Sequence, residues 1–64
     1  MEKWIGLTRV QGNREVIVNA KNIAYVEENP DGTSTVVFNY GGGFSVKQSL
    51  ESIVDDIKSN VRIP

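Results

Sequence analysis

The chain has 64 residues, which is the size of one small domain. It contains no cysteine and no histidine, so disulfides and nearly all zinc sites are excluded. Seven Lys and Arg residues against eight Asp and Glu residues give a net charge of −1, so binding to nucleic acid through a basic surface is disfavoured.

A domain of this size buries little apolar surface, and small scaffolds usually gain stability from disulfides, a metal ion or association. Because the composition leaves association as the main route, it favours a homo-oligomer. The first residues lack the pattern of a signal peptide, and no apolar run approaches the roughly 18 residues of a membrane-spanning helix. We therefore expect a single domain over residues 1–64, a cytoplasmic location, no membrane insertion and no cofactor.

Two strands joined by a turn are predicted first. Residues 4–10 carry bulky and β-branched side chains, residues 11–13 (Gln-Gly-Asn) are a turn signal, and residues 14–18 continue the β pattern. Gly6 interrupts the first strand, which indicates a bulge or the close approach of another backbone or a large ring. Residues 19–22 begin and end with Asn, and this predicts a turn or one helical turn.

A β-hairpin is predicted over residues 23–40. Two β-rich runs flank Asn-Pro-Asp-Gly at residues 29–32, with Pro at the second position of a type I turn and Gly32 where φ is positive. If Gly32 closes a three-residue loop with a bulge, we expect Tyr25 to lie opposite Val36 and both faces to be apolar away from the turn. A helix, a second layer of strands or another subunit must then cover each face.

A run of three glycines, residues 41–43, predicts a tight return with positive φ, followed by a short fifth strand over residues 44–47. Phosphate binding is the alternative, because backbone N–H groups near the start of a helix can hold an anion. A phosphate loop needs Gly-Lys-Ser/Thr leading into a helix, whereas a strand intervenes here. The turn interpretation is therefore favoured.

The C-terminal part of the chain predicts an amphipathic helix of about three turns. Ser49 is a good N-cap, and Glu51 lies in the first turn, where the helix dipole favours a negative charge. One apolar stripe is formed by Leu50, Ile53, Val54, Ile57 and Val61. Asn60 and Pro64 are stop signals, and Ile63 indicates a tail that docks on something.

Burial of this stripe contributes an amount comparable with the net stability of a small domain, so the helix must pack on the strands. We expect Ile57→Asp to unfold the domain for this reason. Short antiparallel strands followed by one helix make an α+β fold. The prediction is about five strands, arranged as a twisted sheet or a small barrel, with one C-terminal amphipathic helix.

Catalysis has few candidate residues. Without His or Cys, a general acid or base would have to be a carboxylate, Lys or Tyr. Glu27 and Glu28 are adjacent on a strand and point to opposite faces, and Asp55 and Asp56 lie about 100° apart on a helix. Neither pair converges on one point. We expect a protein that is not an enzyme, with no catalytic and no metal-binding residues.

Aromatic and basic residues, together with one glycine of the 41–43 run, are the candidates for contact with a partner or ligand. These candidates are Trp4, Arg9, Arg14, Tyr25, Tyr40, Gly42 and Lys47. Core and subunit-interface roles account for the aromatic residues. The alternative is that they stack on a base, aided by Arg9, Arg14 or Lys47.

Three segments carry a resemblance to a known family: LTRVQG at residues 7–12, IAYVEENPDG at residues 23–32 and SVKQS at residues 45–49. The chain resembles the small FlbD-like proteins of bacterial flagellar operons. The residues that match their pattern are Leu7, Thr8, Arg9, Gly12, Asn19, Ile23, Val26, Glu27, Pro30, Asp31, Val46, Lys47, Ser49 and Val54. The departures are Ala24 for the family's first Glu, Gly32 for its Thr, and Gln48 for the Glu before the helix.

The resemblance implies a non-enzymatic accessory factor for motility, without catalytic residues to carry over. A weaker similarity, in the order of strands, turn and Ser-Leu before a helix, is to the LytTR-type DNA-binding domain. The leading hypothesis is thus a module that self-associates and binds a protein partner. The alternative is a small oligomeric, phage-type binder that sequesters a nucleotide-like molecule between subunits. A LytTR-like nucleic-acid binder comes third.

Overall fold

A computed structural model describes residues 3–59 of the chain. These residues form an α+β fold with antiparallel strands and a C-terminal helix, as predicted. The strands are β1 (Trp4–Thr8), β2 (Glu15–Asn19), β3 (Ile23–Glu28), β4 (Ser34–Phe38) and β5 (Gly43–Val46), and the helix is α1 (Leu50–Lys58). One-turn 3-10 helices, Gln11–Asn13 and Ala20–Asn22, connect β1 to β2 and β2 to β3. The predictions for Asn60, Val61, Ile63 and Pro64 lie outside the described residues.

The strands form two sheets, so the expectation of one twisted sheet or a small barrel is wrong. β1 pairs with β2 in one sheet, and the order in the other is β3-β4-β5. The sheets are joined where the N–H of Lys47 donates to the carbonyl of Thr8, at 2.8 Å, and the N–H of Val10 donates to that of Ser45, at 2.9 Å. The ladder stops there because the Gln48 side chain, rather than another strand, accepts the Thr8 N–H at 2.9 Å.

Gly6 lies in regular register opposite Ile17, without a bulge. No atom of the described residues lies within 4 Å of the position that a Cβ would occupy at Gly6. Neither reason expected for this glycine is therefore found within the described part of the chain. The space beside the Gly6 backbone is open.

The hairpin of β3 and β4 is confirmed, but its register differs from the prediction by one residue near the turn. The N–H of Asn29 donates to the carbonyl of Thr33 at 2.8 Å, and Gly32 has the expected positive φ of 91°. Tyr25 consequently lies opposite Val37 instead of Val36.

The register of this hairpin shifts once more along β3, between Ile23 and Tyr25. Because one extra residue is accommodated there, Ile23 and Val26 both pack against the core although they are three positions apart. Tyr25 remains on the outer face and is exposed. Tyr25 pairs with Val37 on that face, so it is apolar away from the turn as expected, whereas Glu27 and Thr35 make it polar next to the turn.

Glycine forms the return between β4 and β5, as the sequence predicts. Gly41 and Gly42 have positive φ values of 97° and 79°. Gly43 is required for a different reason, because a Cβ at this position would lie 2.2 Å from the carbonyl oxygen of Val36. Only a glycine lets β5 approach β4 so closely at this point.

The core lies between the inner faces of the two sheets, and α1 contributes to it. The buried hydrophobic residues in the described part of the chain are Ile5, Leu7, Val36, Phe38, Val46 and Ile53. Ser49 caps α1 as predicted, because its Oγ accepts the N–H of Ser52 at 3.1 Å. Ile57, by contrast, is 37% exposed, so its expected place in the buried stripe is wrong. The helix is anchored chiefly through Ile53, which is fully buried.

Candidate functional site

The outer face of the first hairpin carries two exposed hydrophobic side chains. Trp4 is 54% and Ile17 is 67% exposed, and Gly6 lies between them in the pairing of β1 with β2. We call these three residues the Trp4–Ile17 face. Alternation along β2 explains it, because Val16 and Val18 pack against the core and leave Ile17 on the other side. The run Val-Ile-Val at residues 16–18 was the available sequence signal, since it makes both faces of a strand apolar.

A shallow groove of about 480 Å³ runs along this face. It is lined by residues of both strands and by the segment before α1, namely Gly6, Leu7, Thr8, Glu15, Val16, Ile17 and Gln48. Gln48 fixes one end of the groove, because it also donates from Nε2 to the Thr8 hydroxyl at 3.3 Å. The space beside Gly6, which also lines the groove, is open because this residue has no side chain.

A row of aromatic rings crosses one end of the second sheet. The rings of Tyr40 and Phe38 are parallel within 1°, with centroids 5.4 Å apart, and Phe44 follows at 5.4 Å from Phe38. The guanidinium carbon of Arg9 lies 4.5 Å from the Phe44 centroid, which is a cation–π distance. We call these four residues the ring stack. Tyr40 is its open end, since this side chain is 76% exposed.

Arg9 and Arg14 are brought together at the end of the first hairpin. The N–H of Arg9 donates to the carbonyl of Arg14 at 2.7 Å, which continues the register that places Thr8 opposite Glu15. A cavity of about 360 Å³ adjoins Arg9 and is lined by Arg9, Val10, Gln11, Gly43, Phe44 and Ser45. Sequence reasoning missed Phe44 as a partner of Arg9, because nothing local links residues so far apart in the chain.

The seven candidate residues from the sequence therefore do not form one site. Arg9 and Tyr40 belong to the ring stack, and Gly42 accepts the Phe38 N–H in the adjoining turn at 3.0 Å. Arg14 contacts Arg9 through the backbone. Lys47 joins the two sheets through its backbone, and its side chain is exposed. Trp4 and Tyr25 lie on the outer faces of different sheets.

Asp31 has a role in the β3–β4 turn. Its carboxylate accepts the Thr33 hydroxyl at 2.6 Å and the Thr33 N–H at 3.0 Å. These hydrogen bonds lower the pKa of Asp31 below its ordinary value of 3.8. The charged form therefore stabilises the turn, and its contribution is present above the ordinary pKa and is lost as the pH falls through the lowered one.

Residues 3–59 contain neither a metal-binding cluster nor a membrane-spanning helix. No group of His, Cys, Asp or Glu side chains in this range is arranged to hold a metal ion. In the same range, no helix has both the length and the apolar character needed to cross a membrane.

Comparison with known proteins adds one finding. The FlbD family model, described as flagellar and swarming motility proteins, matches residues 4–62. The chain belongs to the FlbD family. No curated protein and no solved structure gave a significant match. The FlbD match spans both hairpins and α1, so it contains the Trp4–Ile17 face and the ring stack.

Proposed function

We propose that this FlbD-family protein is a non-enzymatic accessory module for motility, which self-associates and binds a protein partner through the Trp4–Ile17 face. The observation that supports the proposal is the open space over Gly6 between two exposed hydrophobic side chains. Large apolar side chains grouped at the surface are typical of interaction sites, and Trp is enriched among the residues that dominate binding energy.

Self-association through this face has a simple geometry. In a two-fold dimer, the same surface of each copy meets the other, so that residue i contacts j and j contacts i. Trp4 and Gly6 are two residues apart on β1 and belong to one face. The indole of each copy would fill the open space over Gly6 of the other, and Ile17 would border both contacts. A protein partner would use the same surface by presenting one large apolar side chain.

The test is sedimentation velocity of the full chain at a series of concentrations. We expect wild type to associate and Trp4→Ser to shift it towards the monomer, because the variant removes the ring that fills the groove. Tyr25→Ser is the matched control, since Tyr25 is 56% exposed, close to the 54% of Trp4, but lies on the outer face of the other sheet. This variant should associate like wild type.

Three outcomes would contradict the proposal. A wild-type protein that stays monomeric at tens of micromolar would exclude self-association in this working range. Equal weakening by Trp4→Ser and Tyr25→Ser would remove the Trp4–Ile17 face as the site. A Trp4→Ser protein with an unchanged sedimentation coefficient would do the same. Circular dichroism of each variant checks that the fold is retained.

The ring stack supports a second candidate function, the binding of a planar, nucleotide-like molecule. Tyr40 has one ring face on Phe38 and is otherwise open, as a stacking platform requires. Sequestration between subunits would enclose the ligand more fully than one small chain can. Equilibrium dialysis against a panel of nucleotides tests this function, and we expect retention that Tyr40→Ala abolishes. Absence of retention by wild type would exclude it.

A further inference from the structure

Arg9 and Arg14 occupy directly opposed positions in the first hairpin, as their backbone hydrogen bond requires. Opposed residues of an antiparallel pair share a face, and their Cβ atoms are about 5 Å apart. Like charges in this arrangement destabilise a hairpin. Within residues 3–59, neither guanidinium group has a carboxylate partner that would offset the repulsion. The two residues, which we call the arginine pair, thus repel each other, and no carboxylate among the described residues neutralises them.

Arg9 also has a hydrogen-bond donor that the fold leaves unused. Arg9 directly follows β1 and continues its alternation, because Ile5 and Leu7 point into the core and Arg9 lies on the same face. The Nε atom is buried, and no described residue accepts a hydrogen bond from it. A buried donor without an acceptor costs free energy, more so on a charged group. Stacking on Phe44 holds the guanidinium plane but provides no acceptor in that plane.

The chemistry of the arginine pair selects its ligand. Two guanidinium groups carry two positive charges, and each presents a planar fork of N–H donors that fits oxyanions. A phosphate monoester carries about −1.5 to −2 charges at neutral pH, whereas a carboxylate carries only one negative charge. The adjoining cavity of about 360 Å³ is large enough for a phosphate group, and Arg9 lines it.

We propose that the arginine pair binds the phosphate monoester group of a small molecule in the cavity between the first hairpin and β5. Arg9 supplies a fork that Phe44 holds in place. Arg14, directly before β2, turns its flexible side chain towards the same group. The site does not depend on self-association, since the cavity and the Trp4–Ile17 face have no residue in common. For the second candidate function, the binding of a nucleotide-like molecule, this site would hold the phosphate group. Phe44 links the two, because it belongs to both the cavity and the ring stack.

The test is a titration of the ¹⁵N-labelled full chain with inorganic phosphate at low salt, followed by NMR. We expect saturable shifts of the backbone amides of Arg9, Arg14 and Gly43 and of the Arg9 Nε–H. Arg14→Gln should weaken binding about tenfold or more, because it removes charged hydrogen bonds. Lys58→Gln is the matched control, since it removes one positive charge from the exposed end of α1. This variant should bind phosphate nearly as well as wild type.

Denaturation of the unliganded variants gives a readout that a purely structural role would not produce. Arg14→Gln removes the repulsion within the arginine pair, so its denaturation midpoint should equal or exceed that of wild type while phosphate binding is lost. A denaturation midpoint below that of wild type would show that Arg14 stabilises the fold, and it would overturn the proposal. The sedimentation behaviour of Arg14→Gln should match wild type, which separates this site from self-association.

The remaining titrations identify the ligand class. Adenosine monophosphate is expected to bind at least as tightly as inorganic phosphate, since its phosphate monoester is an oxyanion of similar charge. Acetate should bind far more weakly, and equal binding of acetate would overturn the choice of a phosphate group. Tighter binding of a phosphoserine peptide than of the nucleotide would overturn the choice of a small molecule. Absence of saturable shifts with millimolar phosphate, or equal weakening by Lys58→Gln, would overturn the site itself.

Discussion

Gly6 and Gly43 are both glycines within β-strands, but their surroundings differ in what an added methyl group would meet. At Gly6 the space is empty within 4 Å among the described residues, whereas at Gly43 the carbonyl oxygen of Val36 lies 2.2 Å from the Cβ position. The glycine at position 43 is therefore required by the fold. The glycine at position 6 is not, and its open surface is available for contact with another molecule.

Gly43→Ala should destabilise the protein by about 1–3 kcal/mol, because the methyl group forces β5 away from β4. Gly6→Ala should change stability by less than about 1 kcal/mol and in the stabilising direction, since glycine within a strand carries an entropic cost. Urea denaturation of both variants at a dilute, monomeric concentration measures the difference. Equal loss of stability in the two variants would contradict the close approach at Gly43.

At the scale of elements, the position of the β3–β4 hairpin could be predicted from Asn-Pro-Asp-Gly, but its register could not. The turn signal specifies that Gly32 has positive φ, and the structure agrees. The turn signal does not specify which pair of residues closes the loop. In the structure, that pair is Asn29 and Thr33, which are joined by a backbone hydrogen bond. The shift between Ile23 and Tyr25 has no local signal either, because it arises from the need to bury Ile23 and Val26 together.

The helix was predicted well at its start and less well at its end. Ser49 identifies the N-cap from local chemistry alone, and the cap hydrogen bond is present. Periodicity places Ile53 and Ile57 on one apolar stripe of the helix, but it does not predict how much of that stripe the strands cover. The strands cover Ile53 completely and leave Ile57 partly exposed, so the two positions should differ in energetic weight.

Ile53→Ala should cost about 2–5 kcal/mol, the usual range for removing a fully buried isoleucine side chain. Ile57→Ala should cost roughly 1 kcal/mol or less, because this residue is already 37% exposed. Thermal denaturation followed by circular dichroism compares the two variants. A larger loss of stability for Ile57→Ala would show that the C-terminal turn of α1 is the true anchor of the helix.

At the scale of the whole molecule, strand number, strand direction and the single C-terminal helix followed from the sequence, whereas the division into two sheets did not. That division depends on Gln48, whose side chain takes the Thr8 N–H that a further strand residue would otherwise receive. Contacts of this kind join residues far apart in the chain, and no local pattern encodes them. The contact of Arg9 with Phe44 was missed for the same reason.

The size of the molecule makes an interaction through the Trp4–Ile17 face energetically significant. A standard interface covers about 800 Å² on each partner, which is roughly one sixth of the 4631 Å² surface of this chain. Only six hydrophobic residues are buried within the described part of the fold. Covering Trp4 and Ile17 would therefore add substantially to the apolar surface that is removed from water.

The junction between Thr8 and Gln48 also has a consequence for the order of folding. The three strand pairs β1–β2, β3–β4 and β4–β5 each join neighbours along the chain, so all three close short loops and can form early. The junction joins residues 40 positions apart and carries a larger loop-closure cost. During synthesis, the first hairpin leaves the ribosomal exit tunnel before β5 and Gln48 do. The side chains of Ile5 and Leu7, which are buried in the complete fold, then stay exposed to water until the rest of the domain has formed.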